Sequence, residues 1–490
     1  MHRMNRLLLF AVLVLFTTGL FANNIRVTNV TLTGQDAAAN TSVIQFDLAW
    51  DNSWRISSGP ANWDAAWVFA KYRVGGGPWT HAILTQGTTT QGDATVRVPS
   101  DQIGAMIYRA TDGTGAADFN GLELTWRYGS VNDDAVVDIQ VFAIEMVYVP
   151  EGAFTLGTGR FTGGNQEDNE FRRGLTSSAY TVTSEAAITI GTASTNLYYY
   201  ADNGGGGDQT GSLSTSYPKG FGAFYSMKYE ISEGQWVAFF NTLADGQKDN
   251  NDITGPGGKN TDNTSSRNTI SWTSGNATTS APDRALNWLS GAQLAAYLDW
   301  SGLRPMSELE YEKACRGPVN PTNGEYAWGT ADIYATTFNL LSSGTSNERV
   351  SNPGTNIGNA SYSATDGTIN GPLRVGALAA SFSAGSRQET GGSYYGIMEL
   401  SGNVYERCIT VGTAPGRQFS GLHGNGIISN QGFGTVSNWP FNSTGDGWSF
   451  RGGSFTNSSD FLKVSDRFDA ASIIPDGNER LGGRGVRTDF

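Results

Sequence analysis

Between residues 24 and about 145, apolar positions recur at every second residue. IRVTNVTLTG, SVIQFDLAW, AWVFAKYRV, ATVRVPS, LELTWRYG and VVDIQVFAI are short runs rich in Val, Ile, Thr and aromatics. A period of two puts alternate side chains on opposite faces, so each run predicts a half-buried strand. Turn clusters such as GGGP (75–78) and DGTG (112–115) separate the runs. Regularly spaced short strands predict an all-β sandwich over 23–145. Trp54, Trp63, Trp67 and Trp79 concentrate here. They suit either a platform for sugar rings or core packing, and packing is favoured because a Trp ring mostly packs.

Further along, the period lengthens. In YEISEGQWVAFFNTLADG (229–246), Trp236, Phe239, Phe240 and Leu243 recur at helical spacing behind Ser232, a natural N-cap. LSGAQLAAYLDWSG (289–302) predicts a second helix with Leu294, Tyr297 and Leu298 on its apolar stripe and Gly302 as C-cap. A third begins at Ser307, where Glu310 completes a capping box. From 318 onward the pattern predicts short strands between long loops. Residues 160–220 are rich in Gly, Ser and Thr, including DNGGGGDQTG (202–211), and read as an insertion or surface loop. The second domain is therefore expected over 146–490.

Composition narrows the function. The 64 glycines among 490 residues are about twice the usual share of ~7% and fit a loop-rich chain. MHRMNRLLLFAVLVLFTTGLFA (1–22) has a basic start at Arg3 and Arg6, an apolar stretch from Leu7 to about Phe16, and Ala22 as a cleavage point. It reads as a secretory signal peptide, so the product is expected to be secreted, periplasmic or at the cell surface. No later run is long and apolar enough to span a bilayer. The net charge of −13 argues against nucleic acid, which needs clustered Lys and Arg. The only cysteines are Cys315 and Cys408; one disulfide and two buried thiols are both open readings. Outside the leader the only histidines are His81 and His423, too few for a three-histidine metal site. GGNQEDNE (163–170) reads as a solvated acidic loop.

The later segments form a series. MVYVPEGAFTLGTG (146–159), YEISEGQWVAFF, RALNWLSGAQLAAYLDWSGLRPMSELEYEKACRG (284–317), YAWG (326–329), GIMELSGNVYERC (396–408), RGGSF (451–455) and GGRGVR (482–487) follow one another. In that order they resemble the formylglycine-generating enzyme, or sulfatase-modifying-factor, family. The resemblance implies an α+β, C-type-lectin-like fold for 146–490, with much ordered loop. It also implies two structural calcium sites, since loop carbonyls and carboxylates suit a hard cation. In the first, Glu399 and Glu406 would give carboxylates and Gly402 and Val404 backbone oxygens. In the second, Asn339 and Asp366 would give side-chain oxygens and Leu340 and Thr368 carbonyls.

At the catalytic position the sequence departs from the family. Active members are implied to hold copper with two thiolates, one shortly after the GGS motif and one five residues on, to oxidise a cysteine of a sulfatase peptide. Those positions align with Asn457 and Leu462, and neither an amide nor an alkyl chain holds Cu(I). The branch that makes carbon–sulfur bonds at non-haem iron needs three histidines and fails on counting. Copper and iron are therefore not expected. The expectation is a non-catalytic binding or surface-structural protein, with Asn457, Ser458, Asp460, Phe461 and Asp466 as a recognition surface for a protein or glycan of the cell envelope. The alternative is an oxidoreductase of this type with a displaced thiol site. Arg451, Arg467, Arg484 and Arg487 match common family arginines and are expected in buried ion pairs.

Overall fold

The computed structural model describes residues 24–159, 169–201, 205–440 and 445–489. The expected leader and most of GGNQEDNE lie outside the described residues. The fold is mainly β-sheet with few helices. All six alternating runs are strands: Arg26–Asp36, Thr41–Arg55, Asp64–Val74, Ala94–Val98, Gly113–Arg127 and Val137–Val149. Thr80–His81, Ile83–Leu84, Gly87–Gln91 and Ala105–Arg109 are also strands. Most of these are too short for a period to show.

Two sheets share the N-terminal core. A four-stranded antiparallel sheet runs Arg26–Asp36, Thr41–Arg55, Gly113–Arg127, Ile83–Leu84. Its alternation turns Ile44, Phe46, Leu48 and Trp50 inward, onto Ala66, Val68, Ala70 and Ile107 of the second sheet. That second sheet has nine strands and continues past residue 145. Val137–Val149 pairs with Asp64–Val74 on one side and with Phe224–Met227 on the other. Gly485–Thr488 and Arg304–Pro305 extend the same sheet. Both faces of Asp64–Val74 are covered, which is why AWVFA is a continuous apolar run: Trp67 and Phe69 point away from Val68, into a core with Trp236, Tyr297 and Trp300.

Four helices lie beside this sheet: α1 (Glu233–Phe240), α2 (Asp245–Lys248), α3 (Gly291–Ser301) and α4 (Glu308–Arg316). The caps expected at Ser232, Gly302 and Ser307 are present, and Ser290 adds a further one. Ser232, Ser290 and Ser307 each accept from the backbone N–H three residues on, and Gln235, Gln293 and Glu310 answer to complete capping boxes. Gly302 ends α3 at φ 74°, where a Cβ would stand 2.5 Å from Ile103. The last carbonyls of a helix need outside donors. Trp67 Nε1 donates to the Ser301 carbonyl at 2.7 Å and Lys71 Nζ to that of Trp300 at 2.8 Å.

The Gly-rich stretch is more ordered than its composition suggests. Strands Phe171–Arg173, Ile188–Ile190, Leu197–Tyr199 and Gly211–Leu213 form one small sheet, and Tyr180–Val182 pairs with Phe154–Leu156. Phe171, Leu197, Tyr199 and Leu213 are fully buried. Three-residue strands are too brief to carry a readable period.

Candidate functional site

The first expected cation loop follows Leu400 and leads into strand Glu406–Ile409. Glu406 is fully buried, and its Oε1 accepts from Arg484 Nε at 2.5 Å. Glu399 Oε1 accepts from the Gly376 N–H at 2.9 Å. The second oxygen of each, Glu399 Oε2 and Glu406 Oε2, is buried without a partner. No hydrogen bond reaches the Gly402 or Val404 carbonyl among the described residues. Glu230 stands with them: its oxygens accept from Asn403 Nδ2 at 2.9 Å and the Val404 N–H at 3.2 Å. Burial raises all three carboxyls, Glu399 to about 7, against the lowering effect of Arg484. Sequence reading missed Glu230; its signal was a lone charge between Tyr229 and Ile231 just ahead of α1.

In the second expected loop Asp366 and Thr368 are already engaged. Asp366 closes its own turn, accepting from the N–H groups of Asn370 at 3.0 Å and Gly371 at 3.3 Å. The Thr368 carbonyl accepts from Asn370 Nδ2 at 3.2 Å. Asn339 is exposed, its carbonyl takes the Ser351 N–H at 2.9 Å, and Leu340 pairs with Val350. The Phe338 N–H, bonded to the Thr365 carbonyl at 2.8 Å, keeps the two segments side by side.

In the late loop, Asn457 turns inward. Its Oδ1 accepts from Ser454 Oγ at 2.6 Å and from the Ser454 N–H at 3.1 Å. Leu462 is fully buried in a cluster with Tyr326, Trp328, Ala360 and Tyr362. Asp466 is 9% exposed and Phe461 rests edge-on against Phe468 at 5.4 Å. Ser458 and Asp460 face outward, Asp460 paired with Lys463 at 2.7 Å. The five residues expected to form one recognition surface therefore divide between interior and exterior.

The sequence matches the family model for the sulfatase-modifying factor enzyme 1-like domain over residues 138–488. The chain belongs to this family. No curated protein matches it.

Within the family frame, the two metals fare differently. Asn457 and Leu462 occupy the positions implied for copper, and an inward-bonded amide and a sealed alkyl chain do not fit a thiophilic ion. The two thiols present, Cys315 in α4 and Cys408, form no disulfide and share one apolar cluster with Tyr311 and Ile397. Burial pushes the Cys315 thiol up to about 12 and that of Cys408 up as well, disfavouring the thiolate. For calcium, the Glu399, Gly402, Val404 and Glu406 set does fit, because it offers two carboxylate oxygens and two carbonyls with nothing bound to them. The Asn339, Leu340, Asp366 and Thr368 set fits less well, since both Asp366 oxygens and the Thr368 carbonyl already accept hydrogen bonds and Asn339 is exposed. The family arginines are structural: Arg451 pairs with Glu312 at 2.9 Å, Arg467 with Glu308 at 2.8 Å, Arg484 with Glu406 and Arg487 with Asp101.

Proposed function

We propose that this chain is an exported, non-catalytic binding or surface-structural member of the sulfatase-modifying-factor family, with a calcium-stabilised domain and an N-terminal β-sandwich that orients it. The observation carrying this reading is the state of the two residues that the resemblance aligns with the copper thiolates: Asn457 is bonded to Ser454 and Leu462 is packed away. Glu399 and Glu406 would hold the calcium, with the Gly402 and Val404 carbonyls; the ion supplies positive charge to a buried carboxylate group that Arg484 compensates only in part. The Asp366 loop stays a weaker second candidate. An oxidoreductase built on displaced thiols is disfavoured by the raised thiol values.

Two measurements decide. A chelator is expected to lower the melting temperature, since a ligand bound only by the folded state adds about 2.7 kcal/mol at a hundredfold excess over Kd. Glu406→Gln is expected to remove most of that shift. Identical melting with and without chelator would sink the calcium reading. Separately, Cu(I) is expected not to bind stoichiometrically; thiol-dependent copper binding with turnover of a sulfatase-type cysteine peptide would overturn the non-catalytic reading.

A further inference from the structure

A cavity of about 540 Å³ opens where three distant stretches meet: 52–62 at the end of the N-terminal sheets, 228–229, and 379–398. Its walls are strongly aromatic, with Trp54, Tyr229, Phe382, Tyr394 and Tyr395. The walls are fixed in place. Gly396, at φ 89°, lets the backbone lie against Trp54; a Cβ there would stand 3.1 Å from the indole. The Lys228 ammonium sits 5.2 Å from the Trp54 ring centroid and is itself held by Glu145 at 3.2 Å and Asp64 at 3.7 Å. Tyr394 meets Tyr395 edge-on at 4.9 Å, and Asn62 Nδ2 donates to the Tyr395 carbonyl at 2.7 Å, tying one wall to the other.

The polar ends of these rings are unused. The hydroxyls of Tyr229, Tyr394 and Tyr395 and the indole N–H of Trp54 make no hydrogen bond with protein among the described residues and are not sealed from solvent, so they open toward the cavity. Such tips, on rings otherwise packed into the wall, are placed to meet the polar groups of a ligand. The fifth group is Arg387. Its Nη2 donates to the Ala327 carbonyl at 2.7 Å and the Cys315 carbonyl at 3.3 Å, and its Nε to that of Gly392 at 3.3 Å. Nη1 makes no hydrogen bond, and no carboxylate lies in ion-pair range of this arginine among the described residues. A guanidinium fixed on one side and open on the other is suited to a carboxylate.

We propose that this cavity binds an acidic sugar. The aromatic walls take the flat faces of the ring, the phenol and indole groups meet its hydroxyls, and Arg387 meets its carboxylate. The volume suits a small ligand. The proposal names a ligand class for the binding role above and rests on that reading.

The test uses the full chain in calcium, titrated with glucuronic acid, a glucuronate-containing disaccharide, glucose and a neutral glucose disaccharide, followed by tryptophan fluorescence and calorimetry. The acidic members are expected to bind about tenfold tighter than their neutral counterparts. The ratio between the two acids separates a free monosaccharide from a polysaccharide unit. Arg387→Gln is expected to erase the preference for acid. Ser383→Trp, at an exposed position on the rim, is expected to abolish binding without lowering the melting temperature, and keeps the test open if the Arg387 variant misfolds. Equal binding of acid and neutral sugars, unchanged binding by Ser383→Trp, or no saturation by about 10 mM would each overturn the proposal. An intact chelator response with no sugar binding removes this proposal alone; sugar binding with no chelator response removes the calcium reading alone.

Discussion

His81 illustrates how a single buried side chain sets a pH limit. Its Nε2–H donates to the Ile103 carbonyl at 2.6 Å, and Nδ1 is buried without a partner. Burial pulls its pKa well down, Lys71 and Arg487 pull it further, and the bond to Ile103 only partly opposes them. A histidine with a depressed folded value takes up its proton more easily when unfolded. Its contribution is therefore complete above the unfolded value of about 6.5 and is lost as pH falls below it. Going from pH 7.5 to 5.5 should cost at most about 1.4 kcal/mol at this residue. Carboxylates with raised values act in the opposite sense, so the comparison is with His81→Phe, which keeps the stack on Phe69. Urea midpoints of the parent should fall more steeply over that range than those of the variant; parallel profiles would refute the assignment.

At the scale of elements, α4 is the most informative. It is polar in sequence yet buried along its whole length. The glutamates at every second position each meet an arginine: Glu308 meets Arg467, Glu310 meets Arg304, and Glu312 bridges Arg316 and Arg451. Glu312→Gln leaves two buried guanidinium groups short of one carboxylate and should cost about 3–5 kcal/mol, read from denaturant unfolding. A loss under about 1 kcal/mol would mean the pair is solvated rather than buried. The start of this helix was legible in the sequence, because Ser307 and Glu310 stand three apart and cap locally. The alternating strands were legible for the same reason: their signal lies within a few residues. The arginine partners were not, since Arg467 is far along the chain and only the folded topology brings it to Glu308. Glu230 beside Glu406, and the cavity built from residues 52–62, 228–229 and 379–398, escaped for that same reason.

For the molecule as a whole, the shared sheet matters most. Val137–Val149 runs through the position where the alternating pattern gives way to the family motifs, and it pairs with strands from both sides. Across it, Lys71 and Trp67 satisfy the end of α3, Arg487 lies 4.1 Å from the Trp67 ring centroid, and Arg97 pairs with Asp489 at 2.8 Å. The chain should therefore unfold in one transition, with fluorescence and far-ultraviolet dichroism giving coincident curves. A fragment beginning at residue 146 should not yield a folded monomer, because it loses Trp67 and Phe69 from a core it still needs. A fragment with a sharp, native-like transition would contradict this.

That continuity also has a mechanical side. Asp64–Val74 and Val137–Val149 run antiparallel across eleven facing residue pairs with Asp64 opposite Val147, so a pull on the chain before residue 64 and after residue 147 acts at one end of the ladder and peels its bonds one after another. Stretched from those two points, the ladder should yield pair by pair at low force, without the single sharp rupture of a sheared sheet.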